Sequence, residues 1–402
     1  MRSTSPQLPW FLRAYCRTLG AAVIRLGACP LDPSALMASA ARKSGLDDFG
    51  APSFQEGLDV LCRAARNAPL TAFGQQVLHG LAELSLINRL RLTEKKKQQP
   101  AIFRAPLLPP IIVMGLPRSG TTFLHRLLTA TPGCRAVPYY RLVEVLPDAR
   151  RRRDRRLRTH TFNVALRRRL LPEMDRVHYL RADSPEECMF ALGMTFESLL
   201  FWVAAPLYDY LDWYLERDRT AKYETYRDLL QLWQSETPAQ RLVLKAPAHT
   251  DALAALIRNV PEARVVHTHR NPATVCASSA SLIYESHRLV ASEMEPRRLG
   301  ASCVKLLESM ARRNAADRTL ISADIVDVEY EELVNTPTQI VRKIQRRVGI
   351  PIRQAHERAL SLELQRQPQH AHGRHEYSLA DFGLASRDVR PVPPKRILGA
   401  VG

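Results

Sequence analysis

Residues 110–128 read PIIVMGLPRSGTTFLHRLL. Ile111 to Met114 form a short continuous apolar run, the pattern of a strand buried on both faces. A turn bracketed by Gly115 and Gly120 follows, and then a helical stretch stopped by Pro132-Gly133. Strand, glycine turn and helix start together make an anion site. The N–H groups of the turn converge on one spot, and the helix dipole adds partial positive charge there. The two glycines let the backbone curl closely around oxygens, while Thr121 and Thr122 add hydroxyl donors.

Further along the chain the same alternation recurs. RLVLKAP (241–247) and ARVVHTHR (263–270) are two more short apolar strands, separated by the helical stretch DALAALIRNV (251–260). DIVDVEYEELV (324–334) is a strand that runs into a helix. This predicts an α/β class protein with a central parallel sheet flanked by helices. Upstream, segments 34–48, 54–68 and 75–92 carry apolar residues at three- and four-residue spacing. They predict a helical N-terminal region over 1–100, packed on an α/β domain over 101–395. Between them TEKKKQQPAIFRAPLLPP (93–110), with its charge run and four prolines, reads as a linker. Residues 10–31 are apolar and free of acids but interrupted by Arg13, Arg17 and Arg25. They read as an amphipathic helix packed on the body rather than an export signal. The run nearest in length to a membrane span, Cys188 to Leu207, is broken by Glu197.

Composition narrows the partners. Of 402 residues 46% are apolar, enough for a sizeable core. Lys and Arg number 58 against 40 Asp and Glu, giving +18. Such a surplus fits an anionic partner, whether nucleic acid, acidic lipid or a phosphorylated or sulfated small molecule, or else reflects an arginine-rich proteome. Ten of residues 150–169 are Arg, within a basic insertion spanning about 148–175. It reads either as an anion- or nucleic-acid-binding arm or as a solvated helix face. Phe162 is its only aromatic ring besides histidine, which disfavours nucleic acid. Seven cysteines stand singly, with no C-x-x-C pair, so they read as reduced, mostly buried thiols of a cytoplasmic protein.

In the glycine turn, Thr121 occupies the place of the lysine in a nucleotide triphosphatase loop. Without that lysine and Mg²⁺ a triphosphate is poorly neutralised. A less charged group such as a 5′-phosphosulfate fits better and requires no metal. A nucleotide kinase or NTPase with a degenerate loop is the second reading. A non-enzymatic nucleic-acid binder using the arginine run is the third.

The stretch GLPRSGTTFLHRLL (115–128) resembles the 5′-phosphosulfate-binding loop of sulfotransferases that use 3′-phosphoadenosine 5′-phosphosulfate (PAPS). RVVHTHRNPATVCASS (264–279) resembles the same family's 3′-phosphate motif, an Arg after a strand and a Ser eight residues on. LVLKAPAHT (242–250) is similar to its Lys-x-Pro-x-His segment and DSPEECMFALGMTFESLLF (183–201) to its Pro-Glu-Glu segment. SGLDDFGAPSFQEGLDVL (44–61) and HEYSLADFGL (375–384) resemble the two ends of a bacterial-type subfamily, so that the likeness covers about 35–395.

The resemblance implies a P-loop NTPase-like sulfotransferase fold and sulfuryl transfer from PAPS to a hydroxyl or amine of a small-molecule, lipid or glycan acceptor. It assigns Arg118, Ser119, Gly120, Thr121 and Thr122 to the 5′ end of the donor, and Arg270 and Ser278 to its 3′-phosphate. Arg118 and Lys245 are the cations for the leaving oxygen. The general base stays open between His249 and Glu187, with Glu186 and His178 behind them. Where the subfamily carries a Trp-Glu pair this chain has Tyr140 and Arg141, which leaves room for an inactive family member. The apolar run Met189 to Trp213 either walls a hydrophobic acceptor pocket or belongs to the core. Peripheral contact with a membrane is compatible with this reading, a nucleic-acid partner is not called for, and no motif speaks to oligomeric state.

Overall fold

Five short strands, β1 (Ile111–Gly115), β2 (Cys134–Arg135), β3 (Arg241–Lys245), β4 (Arg264–His269) and β5 (Ile325–Glu329), make one sheet in the computed structural model. Residues 9–27, 29–366 and 377–389 are described. Within the C-terminal segment expected from sequence, His375, Glu376 and 390–395 lie outside them. The strand order is β2-β3-β1-β4-β5, with every pair parallel.

All five residues of β1 are buried, as the unbroken apolar run requires. Their side chains alternate between two layers. Ile111 and Val113 pack with Leu124, Leu127 and Leu128 of the helix Thr121–Thr129 and with Ile340 and Ile344. Ile112 and Met114 point the other way, into a cluster with Tyr226, Leu230, Trp233 and Leu253. This is the doubly covered parallel sheet predicted from the strand–helix alternation.

The helices expected over 34–48, 54–68 and 75–92 are Pro33–Ser44, Gln55–Asn67 and Ala72–Gln98. Asp32 caps the first by accepting from the Ala35 N–H, and Thr71 caps the third by accepting from Gly74. Their buried faces share one core with the helices Pro272–His287 and Pro296–Leu320. Phe196, Phe201, Trp202 and Tyr210, from the long apolar run, belong to that same core.

Two local expectations change, and one strand is added. Residues TEKKKQ do not form a linker but finish the 27-residue helix Ala72–Gln98. Lys95, Lys96 and Lys97 lie in its last turn, where positive charge meets the negative end of the dipole, and Lys96 and Lys97 pair with Asp228 and Asp48. The stretch 251–260 starts inside a 3₁₀ segment, Pro247–Ala252, and only then becomes the helix Leu253–Asn259. β2 has two residues, too few to display any period. Among the described residues no helix is long and apolar enough to cross a membrane.

Candidate active site

Register sets the site. Gly115 stands opposite Thr268 of β4, and Val113 opposite Lys245 of β3. The C-terminal ends of β1, β3 and β4 therefore open on one edge, where open α/β sheets hold ligands. The turn after β1 is held from both neighbouring strands. The Gly115 N–H donates to Thr250 Oγ1 at 3.0 Å, and Ser119 Oγ lies 2.7 Å from Thr268 Oγ1. Ser119 Oγ also donates to the Leu116 carbonyl at 2.6 Å.

Two positions require their backbone freedom. At Gly115, φ is 148°, and a Cβ would sit 2.4 Å from Thr268 Oγ1. At Gly120, φ is 90°, and a Cβ would meet the Tyr330 ring at 3.0 Å. Arg118, a non-glycine, also adopts a positive φ of 67°, so the turn stores strain at its centre. Thr121 is buried at the helix start, with Thr122 half-buried beside it.

The structure joins the two motifs that resembled the cofactor site. Arg118 Nε donates to Ser278 Oγ at 3.1 Å, 160 residues away in sequence. Arg270 Nη1 donates to the Arg118 carbonyl at 2.9 Å. The Arg270 guanidinium also stacks 3.9 Å above the centre of the Tyr330 ring. Asn271 caps the helix Pro272–His287 by accepting from the Ala273 and Thr274 N–H groups, which aims that helix and Ser278 at the loop. Burial lowers the pKa of the Arg118 guanidinium, with Tyr377, Arg270, Glu187 and Tyr330 as its charged or polar neighbours. Thr250, Thr268 and Tyr330 were not singled out from sequence. Each acts through a fold contact that no spacing announces.

Lys245 is fully buried, and its Nζ donates to Glu187 Oε1 at 2.8 Å. The pairing is fixed by backbone. Glu187 and Lys245 form a parallel bridge, and the Cys188 N–H donates to the Lys245 carbonyl at 2.9 Å. Glu187 keeps some contact with solvent, its side chain being 17% exposed. Glu186 beside it is buried and turned inward. It accepts from the Glu187 N–H and pairs with His178 Nε2 at 2.9 Å. Burial alone would raise the Glu186 carboxyl, but His178 and Lys245 outweigh it and hold the group well below the usual carboxylate range.

His249 occupies a different environment. It has no exposed surface, its Nδ1 lies 2.7 Å from the Tyr223 hydroxyl, and its ring packs on Tyr226. Burial, with help from Lys222, lowers its pKa to about 3. The stretch that replaces the Trp-Glu pair is engaged elsewhere. Arg141 pairs with Glu236, and Tyr140 lies under the Arg156 guanidinium. Glu144 pairs with Arg91 at 2.7 Å and faces His160 at 3.5 Å. The backbone of this stretch nonetheless borders the acidic segment, with the Tyr139 and Tyr140 N–H groups donating to the carbonyls of Ser184 and Ala182.

Comparison with known proteins agrees with this arrangement. Residues 109–354 match the sequence profile of the sulfotransferase family. The structure is similar to that of sulfotransferase STF1 from Mycobacterium tuberculosis H37Rv, at 31% identity and a TM-score of 0.76 over 89% of this chain and 96% of that one. It is also similar to sulfotransferase STF9 from Mycobacterium avium, at 26% identity and a TM-score of 0.76 over 89% and 93%. Among curated proteins the chain is 25% identical to the omega-hydroxy-beta-dihydromenaquinone-9 sulfotransferases Stf3 of Mycobacterium bovis and Mycobacterium tuberculosis over 259 residues. That match spans 60% of this chain and 63% of the length of each relative. With a glycine turn after the central strand, an Arg–Ser pair docked on it and a profile match across the whole sheet, the chain belongs to the sulfotransferase family.

Proposed function

We propose that this protein transfers a sulfuryl group from PAPS to a hydroxyl of a small, apolar or lipid acceptor. The observation that carries the reading is the contact of Arg118 with both Ser278 and Arg270, which brings together the turn that resembles a 5′-phosphosulfate loop and the pair that resembles a 3′-phosphate motif. Arg270 presents a planar fork of donors suited to a phosphate, and the turn presents N–H groups without a lysine or metal ligand set. These donors fit a 5′-phosphosulfate, with one negative charge on each acid group, better than the more highly charged Mg²⁺-triphosphate. The Stf3 relatives are named for a menaquinone-derived lipid hydroxyl, which supports the lipid class of acceptor. The seven free cysteines support the cytoplasm as the compartment.

The reaction follows from the same residues. The acceptor hydroxyl gives its proton to the Glu187 carboxylate while its oxygen bonds to sulfur. The bond from sulfur to the bridging oxygen breaks, and its electron pair leaves with adenosine 3′,5′-bisphosphate. Lys245 and Arg118 neutralise that developing charge. In the free protein Lys245 is held by Glu187. Drawing the ammonium toward the bridging oxygen would free the carboxylate to act as base. His249, without exposed surface and bonded to Tyr223, serves packing and leaves the base role to Glu187.

The test is transfer from labelled PAPS to a panel of lipid, phenol, alcohol and glycan acceptors, with calorimetric binding of adenosine 3′,5′-bisphosphate. Arg118→Ala and Arg270→Ala are each expected to weaken that binding about 10- to 100-fold, as for a lost charge-assisted hydrogen bond. Parental affinity in both variants, or tight ATP-Mg²⁺ binding with none of the bisphosphate, would overturn the reading.

A further inference from the structure

We propose that the N-terminal helices and the arginine-rich helix together form a docking surface for an anionic lipid bilayer. The first observation is where exposed apolar side chains collect. Ten large hydrophobic residues are exposed among those described, and seven fall in these segments: Trp10, Phe11, Leu19, Leu26, Leu157, Phe162 and Leu166. Trp10 is 75% and Phe162 67% exposed, far from what a folded core requires of either. Seven of ten in two short stretches is more than singly scattered surface residues account for.

The second observation is charge. The helices Trp10–Arg17 and Leu19–Arg25 carry exposed Arg13, Arg17 and Arg25, and no acid occurs between Trp10 and Leu31. The helix Arg156–Leu170 is likewise free of acids and flanked by exposed Arg155. Its inward face is pinned. Arg156 pairs with Asp154 at 2.8 Å and donates to the Glu144 and Val145 carbonyls, and Arg168 pairs with Asp175 at 2.6 Å. His160 and Val164 are buried on that side. At helical spacing, Arg158, Phe162, Leu166 and Arg169 then fall on the outward face, and all four are exposed. Among the described residues no carboxylate pairs with Arg155, Arg158 or Arg169.

Third, the two segments meet. Leu12 and Leu170 share a small buried cluster with Phe73 and Leu289, which brings the aromatic end of the first helix to the end of the arginine helix. Tyr15 bonds Gln76 at 2.7 Å and secures the first helix to the long helix Ala72–Gln98.

Aromatic and leucine side chains beside arginines, without acids, suit a membrane interface, the helix Trp10–Arg17 as an amphipathic one and the arginine helix as a basic surface beside it. The apolar groups enter the acyl boundary, while the guanidinium groups stay at the phosphates. A second copy of this chain fits less well, because a two-fold contact would set arginine against arginine. Nucleic acid accounts for the charge but not for leucine and tryptophan side chains in water. The surface does not depend on the identity of the acceptor.

The test uses the full chain with sedimentable vesicles of phosphatidylcholine alone and of phosphatidylcholine with phosphatidylglycerol. Binding is expected only to the anionic vesicles and is expected to weaken as salt rises. Phe162→Ser should weaken it about 10-fold, and Arg155→Gln/Arg158→Gln/Arg169→Gln about 100-fold. All four side chains are exposed, so the thermal midpoint of both variants should match the parent. Equal binding to neutral vesicles, no binding at low salt, or parental binding by both variants would each overturn the proposal. So would the absence of vesicle binding alongside duplex DNA binding, or alongside a dimer that Phe162→Ser dissolves.

Discussion

Glu187 and His249 show how burial sorts two candidates that spacing left equal. Glu187 is paired to Lys245, whereas His249 is near that lysine only along the chain, four residues beyond it. Glu187 retains a wet edge, whereas the imidazole of His249 is sealed among tyrosines and kept neutral. Glu187→Gln is therefore expected to lower kcat by about 100-fold or more while leaving adenosine 3′,5′-bisphosphate binding unchanged. His249→Asn is expected to act on stability instead, costing about 1–3 kcal/mol as the Tyr223 hydroxyl loses its partner. Single-turnover kinetics with chemical denaturation of both variants separates the two effects. A collapse of turnover in a stably folded His249→Asn protein would move the base role to the imidazole.

At the scale of elements, the site is a turn clamped between strands. The loop after β1 keeps its shape because Thr250 and Thr268 take its polar groups and because two glycines pass close to neighbouring atoms. Gly115→Ala should be severe. Its Cβ would overlap both Thr268 Oγ1 and the Thr268 carbonyl, at 2.4 and 2.5 Å, in a conformation that side chains rarely adopt. A loss of about 2–4 kcal/mol in unfolding free energy is expected, with bisphosphate binding abolished. Denaturant titration and calorimetry check this, and a stable, binding-competent variant would mean the turn is more pliable than its contacts imply. The long helix Ala72–Gln98 teaches a different lesson. Its terminal lysines read as a linker because charge runs often are, yet they complement the helix dipole and pair with Asp48 and Asp228.

For the whole molecule, four buried histidines couple the core to pH, and burial holds one of them, His267, well below its ordinary value. Burial lowers His125 to about 4, His249 to about 3 and His287 to about 4. In the unfolded chain each titrates near its ordinary value of ~6.5. Below that pH the unfolded state takes up protons that the native state refuses, so stability falls as pH drops and is unaffected above it. The expected slope is about 1.4 kcal/mol per pH unit for each imidazole. Glu186 and Asp327 are depressed carboxylates, so their contributions persist above the ordinary carboxyl value and are lost only in stronger acid. Thermal midpoints between ~pH 7.5 and ~pH 5.5 check the sign, and His287→Gln should flatten the slope by about a quarter. A midpoint that rises on acidification would contradict this account.

The sequence by itself determined four of the five strands and the glycine turn after the first. Short apolar cores within 110–116, 241–247 and 263–270 fit between two helical layers, and glycines around Arg118-Ser119 demand a tight loop. Arg270 and Ser278 stand in one short motif along the chain, and the structure sets both against Arg118. Only the tertiary structure decided what depends on distance across the sheet. It set Glu187 on Lys245, withdrew His249 into the core, engaged Arg141 with Glu236 and placed Tyr330 under Arg270. It also divided the arginine run, turning Arg156, Arg167 and Arg168 to internal partners and leaving Arg155, Arg158 and Arg169 at the surface. The physical reason is the same in each case. Burial and charge pairing are properties of neighbours in space, and those neighbours are supplied by strands and helices far apart in sequence.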